Sequence, residues 1–220
     1  MDMAGCSPKE CFARLEKLET PRLLLRRIAA ADLEDVYDYA HDPRTSEYLL
    51  WSPHETRFFT RNYLQYLGKA YAKGDFHDFA VVLKESGKMI GTAGYTTIDE
   101  KHRRAEIGYV LHPDFWGKGI AAEAAEALLA FGFREMRLHR IEAHYMVENT
   151  RSRRVMEKCG MHFEGVLQGS MFVKGEYRDI GICAILREEY DATHPQTPTF
   201  QYREAGSAHW YDRLRENSGR

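Results

Sequence analysis

Three groups of residues in this chain bring together types that do chemistry. Glu106 sits in an otherwise apolar run, Ala105-Glu106-Ile107-Gly108-Tyr109-Val110-Leu111. Gly117 and Gly119 flank Lys118 and lead into Ile120-Ala121-Ala122, and Asn149, Ser152, Arg154 and Lys158 recur at three- and four-residue spacing further on. The glycine pair lets the backbone approach a ligand closely, and the first N–H groups of a helix starting there have no partners inside it. Such a turn favours an anion, a phosphate above all. A carboxylate among apolar residues is either a core acid held by hydrogen bonds or a group with a chemical role, because buried acids are uncommon unless paired.

The elements that must position these groups are legible in outline. Residues 1–18 read as a polar extension ending in a helical lead-in with Phe12, Leu15 and Leu18. Arg22 to Ile28 reads as a first strand, and Leu33, Val36, Tyr37 and Ala40 mark a helix that stops before Pro43. An aromatic loop from Tyr48 to Pro53 precedes a helix over residues 55–72, whose Phe58, Phe59, Tyr63 and Leu67 read as core. Trp51, beside a proline in that loop, is the aromatic to watch, since functional residues concentrate in connections.

Phe79 to Leu83 and Met89 to Tyr95 form a β-hairpin, and Ala105 to Leu111 is the next strand, with Ala105, Ile107, Tyr109 and Leu111 on one face and Glu106, Gly108 and Val110 on the other. The glycine turn follows, then a helix from Gly119 to about Arg134. A strand from Leu138 to Val147 carries Glu142 and His144, and a short helix begins at Asn149 as N-cap and ends at Gly160. Two strands, residues 163–172 and 177–186, close the domain, and residues 189–220 read as a tail in which Trp210, Tyr211 and Leu214 make an amphipathic turn.

Bulk properties exclude several classes. The 220 residues are 44% hydrophobic, enough for one large core, and a formal net charge of −2 gives no basic surplus for nucleic acid or an anionic membrane. The start of the chain lacks a basic segment followed by an apolar one, and no run is long enough to span a bilayer, so the expected location is the cytoplasm. Four scattered cysteines, Cys6, Cys11, Cys159 and Cys183, read as free thiols. With no HExxH motif among ten histidines, no metal is expected.

The order of hairpin, acid-bearing strand, glycine turn, Ala-rich helix, strand and Asn149-to-Gly160 helix resembles the GNAT superfamily of acyl-CoA N-acyltransferases. The opening Leu18-Glu19-Thr20-Pro21-Arg22-Leu23-Leu24-Leu25-Arg26 is similar to its RimJ/RimL branch. The resemblance covers residues 19–188 and implies an α/β (α+β) fold: a mixed, mostly antiparallel twisted sheet flanked by helices, with parallel central strands splayed at the acetyl-CoA site. It implies that backbone N–H groups from Gly117 through Lys118, Gly119, Ile120 and Ala121 to Ala122 hold the pyrophosphate of acetyl-CoA. Lys118, Arg154 and Lys158 would meet CoA phosphates, with Asn149 and Ser152 beside them, and backbone groups near Val110 and Leu111 would receive the acetyl oxygen. Trp116 replaces the Gln or Arg that often opens this motif, and it is expected to pack against the domain.

Many relatives carry a tyrosine seven residues after the helix asparagine to protonate the leaving thiolate. This chain has Met156 there, which cannot donate a proton, and the resemblance passes thiolate stabilisation to Ser152. Glu106 is the candidate base through water, with His144 as the alternative. The Trp51 loop, the helix after Glu55 and the hairpin around Lys174 and Tyr177 would line the pocket of an amine acceptor. An α-amine of pKa about 7.7–8.0 is roughly a tenth neutral at pH 7, whereas a lysine amine near 10.4 is neutral about once in 2,500 molecules. A weakly driven base therefore suits a peptide or protein N-terminus, with small amines left open. The implied function is acetyl-CoA-dependent N-acetylation by direct attack in a ternary complex. The alternative is a catalytically silent acyl-CoA-binding sensor or scaffold, and a homodimer is compatible with either.

Overall fold

The computed structural model describes residues 7–74, 77–194 and 200–202. Cys6 and the Trp210, Tyr211 and Leu214 turn lie outside the described residues. Helix α1, Pro8–Arg14, opens with a capping box: Ser7 Oγ accepts from the Glu10 N–H, and the Glu10 carboxylate accepts from the Ser7 N–H. Strand β1, Leu15–Glu19, follows at once. The helical lead-in expected to carry Leu15 and Leu18 therefore ends at Arg14, because Leu18 pairs with Leu25 of β2, Leu23–Arg26. Non-local pairing overrides the helical spacing there.

Helix α2, Leu33–His41, is followed by a one-turn helix α3, Pro43–Ser46. Helix α2 stops before Pro43 as expected, and Pro43 then opens α3 at the first helical position, with the Asp42 carboxylate accepting from the Arg44 N–H as cap. Helix α4, Arg57–Lys73, is capped by Thr56 and ended by Gly74 at φ +74°. Its buried stripe runs through Thr60, Leu64, Leu67 and Tyr71. Phe58 and Phe59, expected in the core, are 67% and 55% exposed. The reason is the buried contact between Thr60 Oγ1 and His54 Nδ1 at 2.9 Å, which sets the helix rotation.

The remaining elements are β3, Asp78–Leu83; β4, Met89–Asp99; β5, Arg104–Leu111; α5, Ile120–Arg134; β6, Arg140–Met146; α6, Thr150–Lys158; β7, His162–Val173; β8, Glu176–Leu186; α7, Arg187–Thr193; and β9, Phe200–Tyr202. They form one nine-stranded sheet in the order β7-β8-β6-β5-β4-β3-β2-β1-β9. Strand β9, from the segment expected as tail, pairs antiparallel with β1. Every neighbouring pair is antiparallel except β5–β6, which α5 connects as a crossover.

The parallel pair is short. Arg104, Ala105 and Glu106 stand opposite Arg140, Ile141 and Glu142, and no register pair follows. β5 continues to Leu111 along β4, while β6 continues to Met146 along β8, so the two splay apart. Helix α5 packs Ala124, Leu128 and Phe131 onto one face of the sheet with Ile107, Leu111 and Met156. Val36 and Tyr39 of α2 and Leu64 and Leu67 of α4 cover the other face over Ala80, Val82 and Met89. No helix among the described residues is long and apolar enough to cross a membrane.

Candidate active site

The splay is where the chemistry-bearing residues converge. Alternation along β5 sends Tyr109 and Leu111 toward α5 and α6, and Glu106 and Val110 toward the α2 and α4 face. A cavity of about 420 Å³ opens between the end of β5, the N-terminus of α5, helix α6 and α3. Val110, Leu111, Gly117, Gly119, Ile120, Ala121, Ala122, Asn149, Ser152, Arg154 and Lys158, all expected at the site, line it together.

The glycine turn has the conformation its residues permit. Gly117 and Gly119 both adopt φ +74°, where a side chain is strained, and no side chain caps the start of α5. Consecutive N–H groups at such a turn form an anion-binding concavity, and the helix dipole adds to it. Arg154 and Lys158 on the cavity wall supply the countercharge. The residues present thus fit a phosphate-bearing ligand. The turn is braced from β2: Arg22 donates from Nη1 to the Lys118 carbonyl at 2.9 Å.

Lys118 itself turns aside, its Nζ 5.2 Å from the centre of the Phe115 ring, and it is absent from the cavity wall. Trp116 packs against the core, as its departure from the motif suggested. Its indole Nε1 donates to the Leu111 carbonyl at 2.9 Å, and the Arg151 guanidinium lies 4.3 Å over its ring. It thereby ties the end of β5 to α6.

Asn149 caps α6 through Oδ1, which accepts from the Ser152 N–H at 3.1 Å. Ser152 is half-buried, and its Oγ lies 3.1 Å from the Tyr109 hydroxyl, which also donates to the Ser152 carbonyl at 3.0 Å. Burial raises the Tyr109 phenol well above its ordinary value. Met156, one turn beyond Ser152, is 2% exposed and belongs to the core.

On the opposite face a line of ionisable side chains crosses the splay. His144 Nδ1 lies 3.6 Å from Glu106, and its Nε2 lies 3.6 Å from Glu142. Glu142 in turn accepts from Arg140 Nε at 3.0 Å, and Arg140 also holds Glu164. Burial pushes the Glu106 carboxyl above the usual carboxylate range, against the opposing pull of His144. Glu106 and His144 do not line the cavity beside Ser152. They flank the same splay from the other face, which allows proton removal on one side of a reacting carbonyl and departure of a leaving group on the other.

The acceptor-side expectations divide. Trp51 packs on the second core cluster, 5.7 Å from the His54 ring, and does not reach the cavity. Tyr177 is 72% exposed, its ring tilted against that of Phe172 at 5.0 Å, also away from the cavity. The hairpin that carries Tyr177 reaches α3, which walls the cavity, without lining the cavity itself: Lys174 Nζ donates to the Ser46 carbonyl at the end of α3. Sequence reasoning missed Arg44, Thr45, Tyr48 and Leu49, which form that wall. The Asp42-Pro43 cap pattern was the available signal. It also missed the contact of Tyr109 with Ser152, for which a single sequence holds no signal.

Comparisons with known proteins reach the same place. The model of the acetyltransferase (GNAT) domain matches residues 22–162. An uncharacterized N-acetyltransferase, p20, of Bacillus licheniformis is 34% identical over 80% of this chain and 99% of its own length. The crystal structure of a GNAT-family acetyltransferase from Bacillus anthracis has a TM-score of 0.70 at 35% identity, covering 78% of this chain and 99% of that one. That of spermidine N-acetyltransferase from Vibrio cholerae, in complex with CoA and spermine, has a TM-score of 0.66 at 27% identity, covering 78% and 99%. This chain therefore belongs to the GNAT family as an N-acetyltransferase.

Proposed function

We propose that the protein transfers an acetyl group from acetyl-CoA to a primary amine, a peptide or protein N-terminal α-amine or a small-molecule amine, by direct attack in a ternary complex. The observation that carries this reading is the splay itself, with Ser152 on the cavity face and Glu106 with His144 on the other. The turn from Gly117 to Ala122 holds the pyrophosphate through backbone N–H groups, aided by Arg154 and Lys158. Backbone N–H groups near Val110 and Leu111 receive the acetyl oxygen as charge develops, and preorganised donors of that kind are worth about a hundredfold or more in rate. Glu106 takes the amine proton through water, and its raised pKa brings it closer to the proton it must accept. The carbon–nitrogen bond forms as the carbon–sulfur bond breaks, the electron pair leaves on sulfur, and the Ser152 hydroxyl solvates that thiolate.

The small-amine class draws support from the Vibrio cholerae relative, whose name states spermidine and whose structure holds spermine. The N-terminal class draws support from the amine pKa argument. Thiol release from acetyl-CoA, followed against N-terminal peptides, polyamines and aminoglycosides, tests the proposal. Turnover on any of these amines is expected. Thermal stabilisation by acetyl-CoA without turnover on any amine would identify a binding module instead, and no stabilisation at all would remove the cosubstrate from the reading.

A further inference from the structure

Ser152 can stabilise a leaving thiolate only if its single hydroxyl proton points at the sulfur. A serine in the first turn of a helix has competing acceptors, above all the backbone carbonyls of the preceding turn. Something must therefore hold the Ser152 rotor, and the family position for a phenol is no help, because Met156 is sealed in the core. Two phenols line the cavity, Tyr48 and Tyr109, and of these Tyr109 is the one bonded to Ser152.

The geometry points to Tyr109 as a positioning residue for thiolate departure: its hydroxyl, delivered from β5, orients the Ser152 hydroxyl toward the reacting sulfur. The role rests on the proposed acetyl transfer. A phenol has one proton and two acceptors here, the Ser152 carbonyl at 3.0 Å and Oγ at 3.1 Å. When Tyr109 donates to Oγ, the Ser152 proton cannot point back at Tyr109, and the hydroxyl becomes a better donor through cooperative polarisation. When Tyr109 donates to the carbonyl, its own oxygen accepts the serine proton and the sulfur loses its donor. A developing negative charge on sulfur selects the first arrangement, so the switch costs only rotation of two hydroxyls.

Tyr109 keeps its proton throughout. Burial raises its phenol, which makes it a poor acid toward a thiolate. The proton balance is complete without it: the amine proton leaves toward Glu106, and the thiolate takes a proton from solvent after it departs. Tyr109 is anchored by strand pairing with Ala93 on β4, so its placement does not depend on the mobility of a loop.

The test is a single-turnover measurement of acetyl transfer in the full chain, on Tyr109→Phe, Ser152→Ala and the double variant, with acetyl-CoA affinity and thermal unfolding measured in parallel. Phenylalanine keeps the ring in place, so stability close to that of the unmodified chain is expected. Tyr109→Phe should slow transfer about 3- to 10-fold, the range of one neutral hydrogen bond, with acetyl-CoA affinity within about twofold. In the Ser152→Ala background the same change should slow transfer no further. A further loss in that background would mean that Tyr109 acts on the packing of the site and not through Ser152, which overturns the proposal. An unchanged rate in Tyr109→Phe would overturn it while leaving the acetyl transfer reading intact. No transfer by the unmodified chain would overturn both.

Discussion

Arg22 and Glu123 stand 101 positions apart and meet as an ion pair of 2.5 Å, with the Arg22 N–H and the Thr20 hydroxyl donating to the other Glu123 oxygen. Burial alone would raise the Glu123 carboxyl, but these donors hold it below its ordinary value. The pair joins the first turn of α5 to the start of β2, and Arg22 also reaches the Lys118 carbonyl inside the glycine turn. A floppy turn would have to be ordered when a phosphate binds, and this brace supplies the order in advance.

Replacing the brace should therefore weaken binding more than chemistry. Arg22→Ala is expected to reduce acetyl-CoA affinity about 3- to 10-fold, a modest figure because the guanidinium is half exposed. Isothermal titration calorimetry would read the affinity, and kcat should stay within about twofold. A fall in kcat at unchanged affinity would place Arg22 elsewhere in the mechanism.

The burial of Glu106 predicts a pH profile. Its carboxyl is raised, so the ionised base forms only above the ordinary glutamate range, and the rate should climb with pH through that raised value before levelling. Glu106→Gln removes the ionisation, and the rate should drop about 10²-fold and lose that acidic limb. A Glu106→Gln profile superimposable on the original would transfer the role to His144 or to bulk water.

Asp78 carries a stability prediction with a definite sign. Burial pushes its carboxyl up to about 6, above the ordinary value of 3.8 that it regains on unfolding. Its contribution is then full below about pH 3.8 and is lost as pH rises through about 6, because the fold disfavours the charged form. Asp78→Asn should stabilise the protein at pH 7.5 by about 1–3 kcal/mol, the lower figure allowing for partial access of water. Urea unfolding at pH 5 and pH 7.5 would show the gain growing with pH, and a gain independent of pH would assign it to packing.

Trp116 predicts a cost in stability. Its indole bonds the Leu111 carbonyl and its ring carries Arg151, so Trp116→Phe should lose about 1–2 kcal/mol from one hydrogen bond and a weakened cation–π contact. Urea midpoints for the two forms would measure it. Equal midpoints would show that the indole N–H finds water as readily as the carbonyl.

Local signals made much of this site legible in the sequence. The glycine turn, the Asn149 cap and the alternation along β5 each depend on neighbours within a few residues, and each stands where it was read. What escaped depends on partners far along the chain. Leu15 and Leu18 share helical spacing with Phe12, yet pairing with β2 makes them strand. Phe59 looks like core until His54 claims Thr60 and turns α4. The Tyr109 hydroxyl meets Ser152 across 43 positions, a contact that strand periodicity places on the right face but cannot aim. Helix α3 was hidden by a proline that serves equally well to end a helix or to begin one.

The short pairing of β5 with β6 has one more consequence. Three register pairs join a block of strands, β1 to β5 with β9, to a second block, β6 to β8. Beyond them each block presents an edge to the inside of the molecule. Edges on the outside of a sheet invite pairing with other chains, and proteins blunt them. Here the edge is capped at its end, where the Trp116 indole holds the Leu111 carbonyl, and is flanked by α5 and α6, so that it is sheltered from another protein's strand and open to a slender extended molecule. The seam should therefore be the part of the central strands whose amide hydrogens exchange soonest in the free protein and slow most when a ligand completes the ladder.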